Sequence, residues 1–439
     1  MSIATNSLRT YLFRFGNGFL GFLIGILISR LLGPTGKGQY GSVFIYYALY
    51  LNIFSNLGAA ITYQVSKQRQ PPRKTFLTAT GYSLLIGLVT ILLFAGLNNV
   101  VSFLQVKFLW FVVILVPFVL VLNNLSGLFQ GLNRILELNW LSLLSGLIQT
   151  LLLGSFYLYT RFTQIQPEVF QVVLIWFIGQ VITLTLGFMI GKEFWQRPQH
   201  QEFSLPLLTA MLGFGWQISL NNMIGYLNSR IDSLVVQWLL PVQKFGLYSV
   251  SINGAEILWY ASGAIAIAIC AYVGNAEKDQ AASLTAKAVR HTLLINTPIA
   301  AVMWAGAWIL PAVYGTRFTA SMVPFKTLLP GVLAYSVAGI FSTYFTNQLG
   351  KPRISLLVAS FALLIDFIGS ICLIPKIGMI GGAIANSISY LMAVGLLVIL
   401  FCRETKMSLW QLLMITSDDI ADYQMLWQNI MRFIRRRNG

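Results

Sequence analysis

Charge is what this sequence has least of: of 439 residues only 10% are Asp, Glu, Lys or Arg, against 56% hydrophobic, with a mean hydropathy of +0.73. Water-soluble domains carry roughly a quarter charged residues, so a chain of several soluble domains, the ordinary reading of this length, is excluded. Cysteine occurs three times, as Cys270, Cys372 and Cys402, each inside an apolar segment, which argues against a framework of paired thiols. Histidine occurs twice, as His200 and His291, and without a Cys/His cluster a metal site is not expected. GPTGKG, at 33–38, lacks the full spacing of a phosphate-cradling loop, so no ATP site is read there. The opening stretch MSIATNSLRTYLFRFG lacks the charged region, short apolar core and small-residue cleavage site of a signal peptide. Its first hydrophobic segment is therefore expected to remain as a membrane helix. No connection is long enough to hold convergent acids and bases, which disfavours an enzyme, and no cofactor is expected.

What is present is a succession of apolar stretches, each near the roughly 20 residues needed to cross a hydrocarbon core. Hydropathy places about twelve spans, at roughly 11–32, 41–66, 76–97, 108–129, 138–159, 169–191, 207–239, 246–273, 291–314, 324–349, 354–375 and 377–402. The cations outnumber the acids, 29 to 13. They fall mostly in short loops on one side, including Lys67, Arg69, Arg73, Lys74, Lys192, Arg197, Lys278, Lys351, Arg353, Arg403 and Lys406. Such loops stay inside, so both termini are expected to be cytoplasmic, and nucleic acid is not needed to explain the basic balance. Beyond the last span, Ile420, Tyr423, Trp427, Ile430 and Ile434 recur at helical spacing before Arg435, Arg436 and Arg437. That pattern predicts a basic amphipathic tail able to lie on anionic lipid.

Two connectors match after a shift of about 207 residues: LLGPTGKGQYGSV at 31–43 and LLPVQKFGLYSV at 239–250. A weaker echo pairs QGLNRI at 130–135 with QLGKPRI at 348–354. Six spans separate the copies, an even number, so the halves are parallel repeats. The expected organisation is a six-helix lobe over 1–191, a cytoplasmic linker over 192–206, a second six-helix lobe over 207–402 and the tail over 403–439. Rocking two such lobes about a central site is alternating access, which points to a transporter.

ISRLLGPTGKGQYG at 28–41 resembles the first-span exit of polysaccharide biosynthesis proteins of the O-antigen flippase type. These belong to the multidrug/oligosaccharidyl-lipid/polysaccharide exporter superfamily. NLGAAIT at 56–62, SRIDSLVVQWLLPVQKFGLYSVSINGAEIL at 229–258 and IPKIGMIGGAIANSISY at 374–390 agree with it in order. The resemblance implies an all-α fold of about twelve transmembrane helices in two pseudo-symmetric lobes. It also implies export of a lipid-linked oligosaccharide across the bacterial inner membrane, with polysaccharide assembly proteins as candidate partners. A drug exporter of the same superfamily is the rival reading. Asn56 departs from the pattern, being neutral where an acid is expected, so no proton-binding role is carried to it.

Ionisable groups inside a span cost about 2.5–3.5 kcal/mol each on the insertion scale and normally face a cavity or a partner. Arg230 and Asp232 in span seven are about 200° apart around a helix and so cannot pair with each other. Glu256 shares a face with Asn253 and Tyr260, and Asp366 with Ser370. Asn52 and Asn56 with Tyr63 form another stripe, and Asn123 and Asn124 place amides in span four. The translocation cavity is therefore expected to hold Arg14, Arg30, Asn52, Asn56, Asn123, Asn124, Arg230 and Asp232. Glu256 and Asp366 are expected to bind a coupling H+ or Na+. The competing reading pairs Arg230 with Glu256 or Asp366 and uses the asparagines to join helices; snorkelling explains Arg14 and Arg30 equally well. Gly378, Gly381 and Gly382 are read as close-packing positions, and Pro117, Pro298 and Pro330 as sites where a helix can kink.

Overall fold

In hydrocarbon the backbone has only itself for a hydrogen-bond partner, so a chain of this composition is driven into helices. The computed structural model describes residues 3–97, 109–192, 203–416 and 419, and among them none lies in a strand. The helices begin with α1 (Ile3–Phe54), α2 (Leu57–Ser66), α3 (Pro72–Leu97), α4 (Leu109–Gly131), α5 (Ile135–Thr163), α6 (Val169–Ile190), α7 (Leu205–Leu239), α8 (Val242–Ala255), α9 (Leu258–Asn275) and α10 (Lys278–Ala305). After them come α11 (Ile309–Tyr314), a 3-10 turn (Thr316–Ser321), α12 (Met322–Tyr335), α13 (Ala338–Thr343), α14 (Pro352–Ile377), α15 (Met379–Thr405) and α16 (Leu409–Leu413). The tail beyond residue 419, including Trp427 and Arg435 to Arg437, lies outside the described residues.

Eight of the described helical segments are long and apolar enough to cross a membrane. The first, Phe15–Ser66, merges two expected spans. Its backbone breaks at Gly33, where φ is +65° and only glycine sits without strain, and Pro34 follows. The expected spans at 207–239, 246–273 and 291–314, which are not among the eight, fall on α7, on α8 with α9, and on the end of α10 with α11. Polar residues such as Asn221, Asn222, Arg230 and Asp232 lower the hydropathy of α7. Pro117, Pro298 and Pro330 sit inside α4, α10 and α12, which run through them as single helices.

The chain forms two compact units, Met1–Val250 with Trp308–Met322, and Ser251–Ala307 with Val323–Gly439. In the first, α7 packs on α1 and α2, although the repeat counts it as the opening helix of the second lobe. The expected division at 191 follows the sequence repeat, which packing does not decide. Leu57, Ile61, Phe76, Leu125, Phe129 and Met211 form a buried core between α2, α3, α4 and α7. In the second unit Ala286, Phe341, Tyr344, Phe345 and Phe401 do the same.

Lipid is as apolar as leucine, so helices in a membrane are held by close approach more than by exclusion of water. The two connectors meet in this way. A Cβ on Gly38 would collide with the carbonyl oxygen of Val242, and one on Gly246 with that of Pro34. Each copy of the Gly-x-Tyr motif thus seats its glycine on the backbone of the other. The weaker echo also has a common geometry: Asn133 (φ 58°) and Gly350 (φ 63°) each turn the chain left-handed two residues before a helix, α5 or α14. Gly381 lies against the backbone of Leu373, as its packing reading expects, whereas Gly378 has open space around it and serves instead to turn the chain with a positive φ of 63° between α14 and α15.

Candidate functional site

Within the first unit, the break between α1 and α2 exposes backbone groups that Asn56 gathers into a network. Its Nδ2 donates to the Asn52 carbonyl at 2.7 Å and to Ser219 Oγ at 3.0 Å, and its Oδ1 accepts from Asn222 Nδ2 at 2.8 Å. Ser219 Oγ in turn donates to the Ile53 carbonyl at 2.7 Å. The network borders a cavity of about 230 Å³ lined also by Phe54, Tyr82, Leu212 and Trp216. Asn56 is buried and joins α2 to α7, which is what the helix-joining reading of the amides requires. Sequence reasoning missed Ser219 and Asn222; the signal was their spacing of three, which puts both on one helical face.

The other amides are dispersed. Asn52 donates back to the Ala48 carbonyl of its own helix at 2.8 Å. Asn124 is buried and donates to Ser83 Oγ on α3 at 2.9 Å. Asn123 is half-buried, with its backbone carbonyl against Gly58. Tyr63 leaves the expected stripe to stack on Phe214, centroids 4.5 Å apart.

Asp232 is fully buried and accepts from the Tyr248 hydroxyl at 2.6 Å and from the Ser233 backbone N–H at 2.6 Å. Tyr248 is the tyrosine of the second connector, so the carboxylate secures that connector to α7. Arg230 is half-buried and donates to the Ser229 carbonyl at 3.3 Å. The Arg14 side chain lies outside the described residues.

Arg30 donates through Nε to the Val313 carbonyl at 2.7 Å and through Nη2 to that of Ala312 at 2.8 Å. It lines a cavity of about 810 Å³ together with Tyr157, Arg161, Gln164, Thr316 and Arg317. Arg161 donates to the Tyr157 hydroxyl at 3.2 and 3.0 Å, and Arg30 reaches the same hydroxyl. Of these three arginines, sequence reading placed only Arg30 at a cavity. Arg161 and Arg317 are distant in the chain, so only folding assembles the three.

In the second unit, Asp366 on α14 is fully buried and accepts from Ser370 Oγ at 3.1 Å and from Asn386 Nδ2 on α15 at 3.3 Å. The face shared with Ser370 is as the spacing predicts; Asn386 was not foreseen. Glu256 stands in the non-helical step between α8 and α9 and is half-buried, while Asn253 and Tyr260 are exposed. Arg290 at the start of the ninth expected span pairs with Asp419 at 2.6 Å, both groups buried. Burial alone would raise the Asp419 pKa, but the Arg290 guanidinium and donors from Thr416 outweigh it and hold the carboxyl at about 2. His291 Nε2 lies 3.8 Å from the same carboxylate.

Long apolar helices, matching connectors and hydrogen-bonded polar groups within the helices define a multi-helix membrane fold. The chain is similar to the lipid II flippase MurJ in an inward closed conformation: TM-score 0.73, 14% identity, 96% of this chain and 93% of that one covered. It is similar to an inward-facing multidrug resistance MATE family transporter of the MOP superfamily: TM-score 0.72, 13% identity, coverage 89% and 94%. It is also similar to the MATE transporter ClbM in complex with Rb+: TM-score 0.59, 15% identity, coverage 94% and 96%. At these identities the likeness establishes the fold. The chain belongs to the polysaccharide biosynthesis protein family, whose model matches residues 3–273. Comparison of the sequence with curated proteins returns no match.

Proposed function

We propose that this protein is a flippase that carries a lipid-linked, polyprenyl-diphosphate oligosaccharide across the bacterial cytoplasmic membrane for surface polysaccharide synthesis. Family membership over residues 3–273 carries the reading. The fold shared with a lipid II flippase supports it. The layout is about twelve spans in two six-helix lobes with both termini cytoplasmic, and substrate passes by alternating access. The protein acts as a carrier, without reactive groups of its own. Arg230 is the candidate contact for the diphosphate. Glu256, half-buried in the non-helical step between α8 and α9, is favoured over Asp366 as the coupling acid.

Reconstitution tests this directly. Proteoliposomes loaded with a fluorescent lipid-linked oligosaccharide should show protein-dependent loss of signal to an impermeant reductant. Export should also be restored in a strain lacking its own flippase. Replacing Glu256 by Gln should uncouple transport from an imposed H+ or Na+ gradient while leaving downhill exchange. Wild-type transport indifferent to both gradients would make the protein a facilitator driven by its substrate. The second reading, an ion-coupled exporter of small molecules, is favoured by the MATE likeness, one of those structures holding Rb+. Gradient-driven efflux of a soluble cationic dye with no lipid movement would establish it instead.

A further inference from the structure

The 810 Å³ cavity in the first unit gathers three guanidiniums, Arg30, Arg161 and Arg317, and no Asp or Glu is among its lining residues. We infer that it is a binding site for a phosphate or diphosphate headgroup, at the face where the first half of α1 and the whole of α5 end. Naming the carrier lipid as its occupant rests on the flippase reading; the anion site itself does not.

Magnitudes decide against a purely structural role for the arginines. Helix C-termini carry about half a negative charge each, and α1 at its Gly33 break, α5 and the short α11 all end here. Together they offset at most about 1.5 of the three positive charges, so an excess of about 1.5 remains. Arg30 spends two donors on the carbonyls of Ala312 and Val313, which fixes its plane and leaves other N–H groups unspent. Arg161 is steadied by Tyr157, its guanidinium 5.4 Å from the ring centroid. Arg317 has neither a hydrogen-bond nor an ion-pair partner among the described residues.

Two anchored forks and one unspent fork are a geometry for phosphate oxygens, which guanidinium meets in bidentate fashion. The cavity volume falls within the roughly 300–1,000 Å³ of small-molecule sites, enough for a diphosphate with its first sugar. By the expected topology this face is the outer one. A carrier headgroup would rest there after crossing, held by charge until the glycan is taken up by the next enzyme of assembly.

The test uses the full chain in phosphatidylcholine nanodiscs, with labelled short-chain polyprenyl diphosphate, inorganic pyrophosphate and phosphatidylglycerol as separate probes. Polyprenyl diphosphate should bind at least tenfold more weakly to the Arg317→Gln variant, and Arg317→Lys should recover part of the loss. Arg317 holds no internal bond, so its replacement leaves the fold in place, and Arg161→Gln provides a second, independent variant. Displacement by phosphatidylglycerol with the same dependence on Arg317 supports the phosphate site and assigns it to bilayer lipid. Displacement by pyrophosphate alone supports it for the free anion. Binding unaltered in both variants, or absent for every probe, overturns the proposal. If the wild type binds through Arg317 yet moves no lipid, the flippase reading fails while the site stands. Lipid movement with Arg317-independent binding removes only the site.

Discussion

The connector at 31–43 and its counterpart at 239–250 share a proline, a lysine and Gly-x-Tyr, and differ in nearly everything those residues touch. Lys37 is buried, its ammonium 5.8 Å from the Tyr40 ring centroid, whereas Lys244 is exposed. Tyr40 is half-buried and stacks on Phe44 with centroids 4.1 Å apart, whereas Tyr248 is fully buried and donates to Asp232. In the first half the position equivalent to Asp232 is the apolar Ile24. Both copies keep the glycine that touches the other copy's backbone, while the side-chain chemistry has separated. The two matching connectors keep a reciprocal contact while the residues around it differ.

The strongest way to break this comparison is at the glycines. Leucine at either Gly38 or Gly246 must displace a backbone carbonyl rather than a flexible side chain, at a cost above about 3 kcal/mol. Both variants should lose most of the monodisperse protein recovered in detergent. If one is recovered at wild-type yield, the contact is not reciprocal. Next comes the tyrosine pair. Tyr248→Phe removes a hydrogen bond to a buried carboxylate and should cost about 1.5–3 kcal/mol. Tyr40→Phe should fall within about 0.5 kcal/mol, as at sites without such features. Thermal unfolding in detergent measures both, and equal shifts would remove the distinction.

A buried cation that does have a carboxylate sharpens the contrast with Lys37. Against burial, which raises it, Arg290 and the Thr416 donors together lower the Asp419 pKa from 3.8 to about 2, so their stabilisation is complete above the unfolded value and is lost as pH falls toward 2. Proteolysis or hydrogen exchange over 409–416 should be unchanged between pH 7 and 5 and should rise sharply below pH 3. A rise already at pH 5 would mean that the pair does not anchor this segment. The smallest effect is chemical: an amine-reactive label should modify Lys244 and spare Lys37, at equal pH and time. Equal reaction would place Lys37 in water.

Helix positions and the repeat were legible because both depend on local pattern: apolar length for the spans, and a dozen residues around Gly-x-Tyr for the duplication. The left-handed turn at Asn133 was concealed because its counterpart at 350 is a glycine and asparagine serves the same conformation by a different route. Asn56 was legible as a polar residue on a helical face, but its partners Ser219 and Asn222 lie some 160 residues away, and nothing local in α7 names the helix they face. Arg30 was placed as a cation near the end of span one. The cavity it shares with Arg161 and Arg317 exists only once the segment 308–322 has folded into the first unit. Arg290 and Asp419 were missed for the same reason, an ion pair being invisible until the chain returns.

The clasp of Gly38 on Gly246 also sets a clock on the ribosome. The two glycines are roughly 200 residues apart, and a chain growing at about 5–20 residues per second needs roughly 10–40 s between them. For that interval α1 and α2 are in the membrane with the backbone face around Pro34 and Gly38 uncovered. Those first helices must wait, without their proper neighbour, until more than half of the polypeptide has been made. Any factor that shelters a nascent membrane helix would have its greatest effect on this protein during that wait, and a slowed codon between 40 and 240 would lengthen it.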